Sequence, residues 1–154
     1  MLAEGGLPDA NRRWVLKNPS HLFALDALLD VYPDALIIQT HRDPRTAIAS
    51  VCSLTAQASQ GWSDAFGPEV VGRTQLDLWA RGLENFMARR AAHAPASFID
   101  VHYDAFVADP MGAIEQIYAR LGSPPSEAAW TAMAELDAQS RTGTALKTRP
   151  IRVG

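Results

Sequence analysis

THRDPRTAIASV, Thr40 to Val51, follows the apolar run Ala35 to Ile38, and the architecture turns on how this junction is read. The apolar run predicts a strand. Asp43-Pro44 predicts a helix start, with aspartate as N-cap and proline at the first helical position, where its missing N–H costs nothing. Arg42 is therefore expected at the carboxyl end of a strand. Open α/β sheets bind ligands at that edge, and the unpaired N–H groups of the following helix add positive potential for an anion. Ser50 stands about seven residues beyond the cap, roughly two turns and 10 Å, on nearly the same azimuth. An arginine folding back would share one phosphate with that hydroxyl. The alternative has Arg42 paired with a surface carboxylate and Ser50 as a neutral helix position.

Outward from this junction the chain alternates. Trp14–Leu16 predicts a short strand ending at Lys17, Pro19–Val31 a helix with Leu22, Leu25, Leu28 and Leu29 as its apolar stripe, and Ala35–Thr40 the second strand. Pro44 to about Ala58 is the second helix. Gln60 to Pro68 reads as a loop, with two glycines, Trp62 and Phe66. Glu69 to about Ala92 predicts a long helix with Leu76, Trp79, Leu83, Phe86 and Met87 as a core stripe. Ser97–Tyr103 predicts the third strand. Pro110–Leu121 predicts a helix stopped by Gly122, and Ser126 opens another carrying Trp130, Met133 and Leu136. Strands separated by helices imply parallel pairing through right-handed crossovers. All strand ends then share one edge, which gathers Lys17, Arg42 and Tyr103.

The spacing of Arg42 and Ser50 after a strand resembles the 3′-phosphate-binding motif of the sulfotransferases that use 3′-phosphoadenosine 5′-phosphosulfate. Upstream, WVLKNPSHLFALDALLDVYPDALIIQTHRDP is similar to that family's strand, lysine, helix, strand and arginine. Downstream, VHYDAFVADP is similar to its adenine-side strand and turn. The resemblance spans residues 14 to 122. It implies an α/β fold, a parallel sheet flanked by helices of the P-loop-NTPase-like sulfotransferase kind, here incomplete. It also implies an enzyme that moves a sulfuryl group from the nucleotide co-substrate to a hydroxyl or amine acceptor, small-molecule or carbohydrate, without a metal.

Residue by residue, the resemblance assigns Arg42 and Ser50 to the 3′-phosphate, Lys17 to the bridging oxygen and 5′-phosphate, and Tyr103 to adenine. Lys17 would otherwise be a solvated loop residue, and Tyr103 a half-buried aromatic at a strand end. In one branch of the family a histidine close behind the lysine activates the acceptor. His21 is the candidate here, although three residues separate it from Lys17 where that branch has one, and helix-start packing or capping is its alternative role. His41 is expected to face away from Arg42, since neighbours on a strand point to opposite faces. His93 and His102 show no metal-ligand spacing.

The family's glycine-containing loop for the 5′-phosphosulfate has no counterpart in this reading. Gly5 and Gly6 precede any strand pattern, and no lysine and hydroxyl pair follows them. The expectation is a single partial domain, residues 1–154, corresponding to the carboxyl-terminal half or two-thirds of a sulfotransferase. A non-catalytic nucleotide-binding or degenerate domain of the same fold is the alternative function. A kinase of the related mononucleotide-binding fold lacks its phosphate-loop signature.

Composition agrees with a soluble α/β piece. At 154 residues the chain can bury one core, and 47% hydrophobic with 20% charged residues is ordinary globular usage. A net charge of −3 argues against a nucleic-acid partner. Residues 138–154 carry Arg141, Lys147, Arg149 and Arg152 with no acid, a basic tail that would close over an anion or stay solvated. The one cysteine, Cys52, excludes an internal disulfide and fits a reducing compartment. It joins Ile48, Val51 and Thr55 on one helical face, a core placement. No run approaches the roughly 18 apolar residues of a membrane span. The expected location is the cytoplasm.

Overall fold

The computed structural model describes residues 14–59 and 67–141. The early glycines, the loop residues 60–66 with Trp62 and Phe66, and the basic residues beyond Arg141 lie outside the described residues. Two strands form a parallel sheet, β1 (Ile37–His41) and β2 (Phe98–His102), in the register Ile37 to Phe98, Gln39 to Asp100 and His41 to His102. Between them run α2 (Pro44–Ala58) and α3 (Pro68–Arg90), which pack along each other and make the crossover a parallel pair requires. Before β1 comes α1 (Leu25–Val31). After β2 follow α4 (Tyr103–Ala108), α5 (Pro110–Leu121) and α6 (Glu127–Arg141).

The core lies on one face of the sheet. Leu25 and Leu29 of α1 meet Phe86 of α3 and Phe98 of β2, with Leu22, Ala35 and Ile37 packed at the margin. The Phe86 and Phe98 rings sit edge to face with centroids 6.5 Å apart, a favoured aromatic geometry. Because β1 and β2 alternate in step, Ile37, Gln39 and His41 share this face with Phe98, Asp100 and His102.

α2 matches its expected bounds from Pro44 to Ala58, because the Asp43–Pro44 start is a local signal. Ile48, Val51, Cys52 and Thr55 are all partly buried, so the cysteine does sit on the packed face. α5 ends as expected at Gly122, whose φ of 61° is the left-handed conformation that glycine adopts without penalty. Ser126 opens α6 by accepting a hydrogen bond from the Ala129 N–H at 3.2 Å.

Several expectations are corrected. Trp14–Leu16 is not a strand. A strand exists only as a ladder partner, and among the described residues none pairs with this segment, whose Trp14, Val15 and Leu16 are exposed. The helix expected over Pro19–Val31 is two pieces, a 3-10 turn Pro19–Phe23 and α1, separated at Ala24 with φ −135° and ψ 37°. The break lets Phe23 turn onto Trp79 (ring centroids 5.5 Å apart) and over Gly82, while Leu25 and Leu29 turn into the core. A Cβ on Gly82 would meet the Phe23 ring.

On α3 only part of the expected stripe is core. Phe86 is buried and Trp79 partly so, but Leu76, Leu83 and Met87 are about half exposed, while Val71 and Gly82 are buried instead. Periodicity locates an apolar face; it does not state how wide an arc the neighbours cover. Similarly Trp130 and Met133 of α6 are partly buried and Leu136 is exposed. β1 starts and ends later than Ala35–Thr40, and Tyr103, expected to close the third strand, is instead the first residue of α4. His102 is its extended N-cap residue, so the backbone turns helical one residue earlier than the apolar pattern suggests.

Candidate functional site

Parallel pairing puts the carboxyl ends of β1 and β2 at one edge, where Arg42 follows His41 and Tyr103 follows His102. The Arg42 guanidinium carbon lies 4.4 Å from the centroid of the Tyr103 ring. Residues sixty-one positions apart are thus in contact, and a guanidinium over an aromatic face at this distance is an attractive cation–π pair. Among the described residues Arg42 has no carboxylate partner, so the surface ion pair that was its alternative role is not formed. Arg42 and Tyr103 are both exposed.

The start of α2 completes the edge. The Asp43 carboxylate accepts from the Arg45 N–H at 3.0 Å, and Pro44 occupies the first turn. Ser50, two turns on, faces solvent on the azimuth of Asp43. Among the described residues its hydroxyl makes no hydrogen bond. Ser53 and Ser59 on the same helix instead donate to the carbonyls of Ala49 and Thr55.

Lys17 and His21 are not joined to this cluster. Lys17 lies in the irregular segment before the 3-10 turn rather than at a strand end, and is exposed. His21 is within the 3-10 turn and partly buried, its backbone N–H donating to the Asn18 carbonyl at 3.1 Å. The turn itself is capped by the Asn18 side chain, which accepts from the Ser20 N–H at 3.0 Å, so His21 is not the cap. No hydrogen bond, ion pair or ring contact among the described residues links either residue to Arg42, Ser50 or Tyr103.

Below the edge, on the α3 face of the sheet, lies a polar network that sequence reasoning missed. Arg90, in the last turn of α3, donates to both carboxylate oxygens of Asp100 at 2.7 and 2.6 Å, and also to the Gln39 side-chain carbonyl. Its guanidinium covers the Phe98 ring at 4.6 Å. His41 approaches Asp100 at 2.6 Å, and its ring stacks on that of His102 with centroids 4.8 Å apart. The Arg90 hydrogen bonds, and then that from His41, hold the Asp100 carboxyl well below the usual carboxylate range. Arg90 in turn is pushed up, chiefly by Asp100. The one available signal was an aspartate in mid-strand on the same face as Phe98, a residue type depleted in strands unless it has partners.

A separate groove of about 300 Å³ runs between α1 and α3, lined by Leu22, Phe23, Phe86 and Arg89 among others. Its Asp26 is bound by His93 at 3.0 Å and Arg89 at 3.3 Å, and no residue of the Arg42–Tyr103 edge lines it. Among the described residues no helix is long and apolar enough to cross a membrane, and no group of three His, Cys, Asp or Glu side chains is arranged to hold a metal ion.

The sequence profile of the Sulfotransferase family matches residues 4–127. Among characterised proteins, the omega-hydroxy-beta-dihydromenaquinone-9 sulfotransferases Stf3 of Mycobacterium bovis and Mycobacterium tuberculosis are each 31% identical over 114 residues, covering 70% of this chain and 28% of theirs. Among solved structures, sulfotransferase STF1 from Mycobacterium tuberculosis superposes with a TM-score of 0.76 at 50% identity, over 80% of this chain and 34% of that one. Sulfotransferase STF9 from Mycobacterium avium gives 0.72 at 27% identity, over 82% and 33%. The chain spans about a third or less of the length of these relatives.

Proposed function

Because this chain belongs to the sulfotransferase family, we propose that its Arg42–Tyr103 edge holds the nucleotide of 3′-phosphoadenosine 5′-phosphosulfate, and that the whole protein transfers the sulfuryl group to an acceptor hydroxyl. The observation that carries this reading is the pairing of an exposed guanidinium, free of carboxylates among the described residues, with an aromatic ring beside a capped helix start. Arg42 would grip the 3′-phosphate through two parallel N–H donors. The Ser50 hydroxyl would supply a third, and Tyr103 would offer its remaining ring surface to the adenine.

Transfer forms a bond from the acceptor oxygen to sulfur and breaks the bond to the bridging oxygen, releasing adenosine 3′,5′-bisphosphate. The acceptor proton passes to a base, and negative charge collects on the departing phosphate. By the family resemblance, Lys17 would supply the cation that stabilises it. His21 is the candidate base by the family resemblance, at a spacing from Lys17 wider than that of the branch with a histidine base. The two Stf3 relatives are named for a hydroxyl-bearing dihydromenaquinone, which favours a small-molecule hydroxyl over an amine or carbohydrate for this chain. The single thiol Cys52 supports a reducing location such as the cytoplasm.

Calorimetry tests the site. Adenosine 3′,5′-bisphosphate should bind more tightly than adenosine 5′-monophosphate, by about ten- to hundred-fold for a charge-assisted contact contributing roughly 1.5 to 3 kcal/mol. Arg42→Ala should remove most of the difference. Equal affinities of the intact chain for the two nucleotides would reject the assignment.

A further inference from the structure

The network beneath the edge makes no hydrogen bond or ion pair with Arg42 or Tyr103, yet its members directly precede them: His41 precedes Arg42, and Asp100 and His102 lead to Tyr103. The ladder between β1 and β2 is only five residue pairs long. On the outer face its apolar content does not fix the register. With a slip of two residues every side chain stays on its face, and Ile38 still meets Val101 in one direction or Thr40 meets Ile99 in the other. Such a slip would move one strand about 6.6 Å along the other. That exceeds the 4.4 Å over which Arg42 contacts Tyr103, so the pair would be lost.

On the inner face the observed register sets Ile37 against Phe98, and beyond that pair what distinguishes it is polar. Asp100 must stand opposite Gln39 to receive Arg90 while Arg90 also reaches the Gln39 carbonyl, and it must lie within reach of His41. We propose that Arg90, Asp100 and His41 are positioning residues that hold β1 in register on β2 and so keep Arg42 over Tyr103, setting nucleotide affinity from below the site. This rests on the nucleotide reading above. Partly exposed ion pairs contribute little to stability, and their directional geometry suits them to specifying one arrangement among several of similar energy.

Two measurements separate this role from a merely structural one. In the ligand-free chain, nuclear magnetic resonance of the Tyr103 ring protons reports the overlying guanidinium. Arg42→Ala should shift them, and Asp100→Asn should shift them in the same direction. In calorimetry with adenosine 3′,5′-bisphosphate, Asp100→Asn should weaken binding about ten-fold in the parent chain and have no effect in the Arg42→Ala background, because one acts through the other. His41→Ala should act like Asp100→Asn, and His41→Gln, which keeps an Nε donor, should restore binding; this pair decides if Asp100→Asn does not fold. Unmoved Tyr103 resonances, or losses that add in the double variant, would overturn the proposal. If Arg42→Ala leaves nucleotide binding unchanged, the nucleotide reading has failed, and the Tyr103 resonances alone decide whether the network positions Arg42.

Discussion

The Arg42 guanidinium stacks on the Tyr103 ring at 4.4 Å, joining the residue that follows β1 to the residue that follows β2. On the proposed nucleotide reading, this contact shapes what the edge can bind. A cation held on an aromatic face keeps its in-plane N–H donors directed outward, where a phosphate can take two of them. Lysine cannot reproduce that fork. Arg42→Lys is accordingly expected to retain the charge yet lose about ten-fold in affinity for adenosine 3′,5′-bisphosphate, read by calorimetry; full retention would mean that charge alone is recognised.

Ser50→Ala should separate binding from stability. Among the described residues the hydroxyl makes no hydrogen bond, and the position is an exposed helix interior, so alanine should leave the chain equally stable or more stable by up to about 0.5 kcal/mol. Nucleotide affinity should still fall several-fold, since one ligand hydrogen bond contributes about 1 kcal/mol. Urea unfolding and calorimetry on the same preparation check both.

Gly122 tests the end of α5. At φ 61° any Cβ is disfavoured, so Gly122→Ala should destabilise by roughly 1 to 2 kcal/mol, seen as a lower urea midpoint with unchanged slope. No Cβ contact lies within 4 Å of this glycine, which makes the cost one of backbone conformation and not of collision. An unchanged midpoint would refute it.

Acidification should expose Asp100. Its folded carboxyl titrates below its unfolded value, so as pH falls through the ordinary carboxylate range near 4 the unfolded chain takes up the proton first. The stability that Asp100 contributes is present above that range and is lost as pH falls towards its lower folded value. Urea midpoints across this window should decline more steeply for the parent chain than for Asp100→Asn, and the gap between them should close at the acid end. Parallel curves would show that the Arg90 and His41 contacts do not favour the carboxylate.

Phe86 is the side chain that ties α3 to α1 and β2. Phe86→Ala removes a buried ring facing Phe98, at a cost of about 3 to 5 kcal/mol, while Phe86→Leu should cost much less because volume is largely kept. Thermal unfolding followed by circular dichroism should show the alanine variant with its transition lowered by far more than the leucine one.

Local signals in the chain determined the bounds of α2, the glycine stop of α5, the serine start of α6 and the parallel order of the two strands, because caps, proline, left-handed glycine and strand-helix alternation act within a few residues. The same signals placed Ser50 about two turns beyond the Asp43 cap on nearly its azimuth, with Arg42 directly before that cap. Tertiary structure alone decided that residues 14–16 form no strand, since a ladder needs a partner that no local pattern can supply. It decided the break at Ala24, which comes from Phe23 packing onto Trp79 and Gly82 nearly sixty residues away. It also decided that Arg42 rests on Tyr103 and that Arg90, Asp100 and His41 meet beneath them. Those contacts depend on the register between two strands separated by the α2–α3 crossover, a quantity to which period-two alternation is blind.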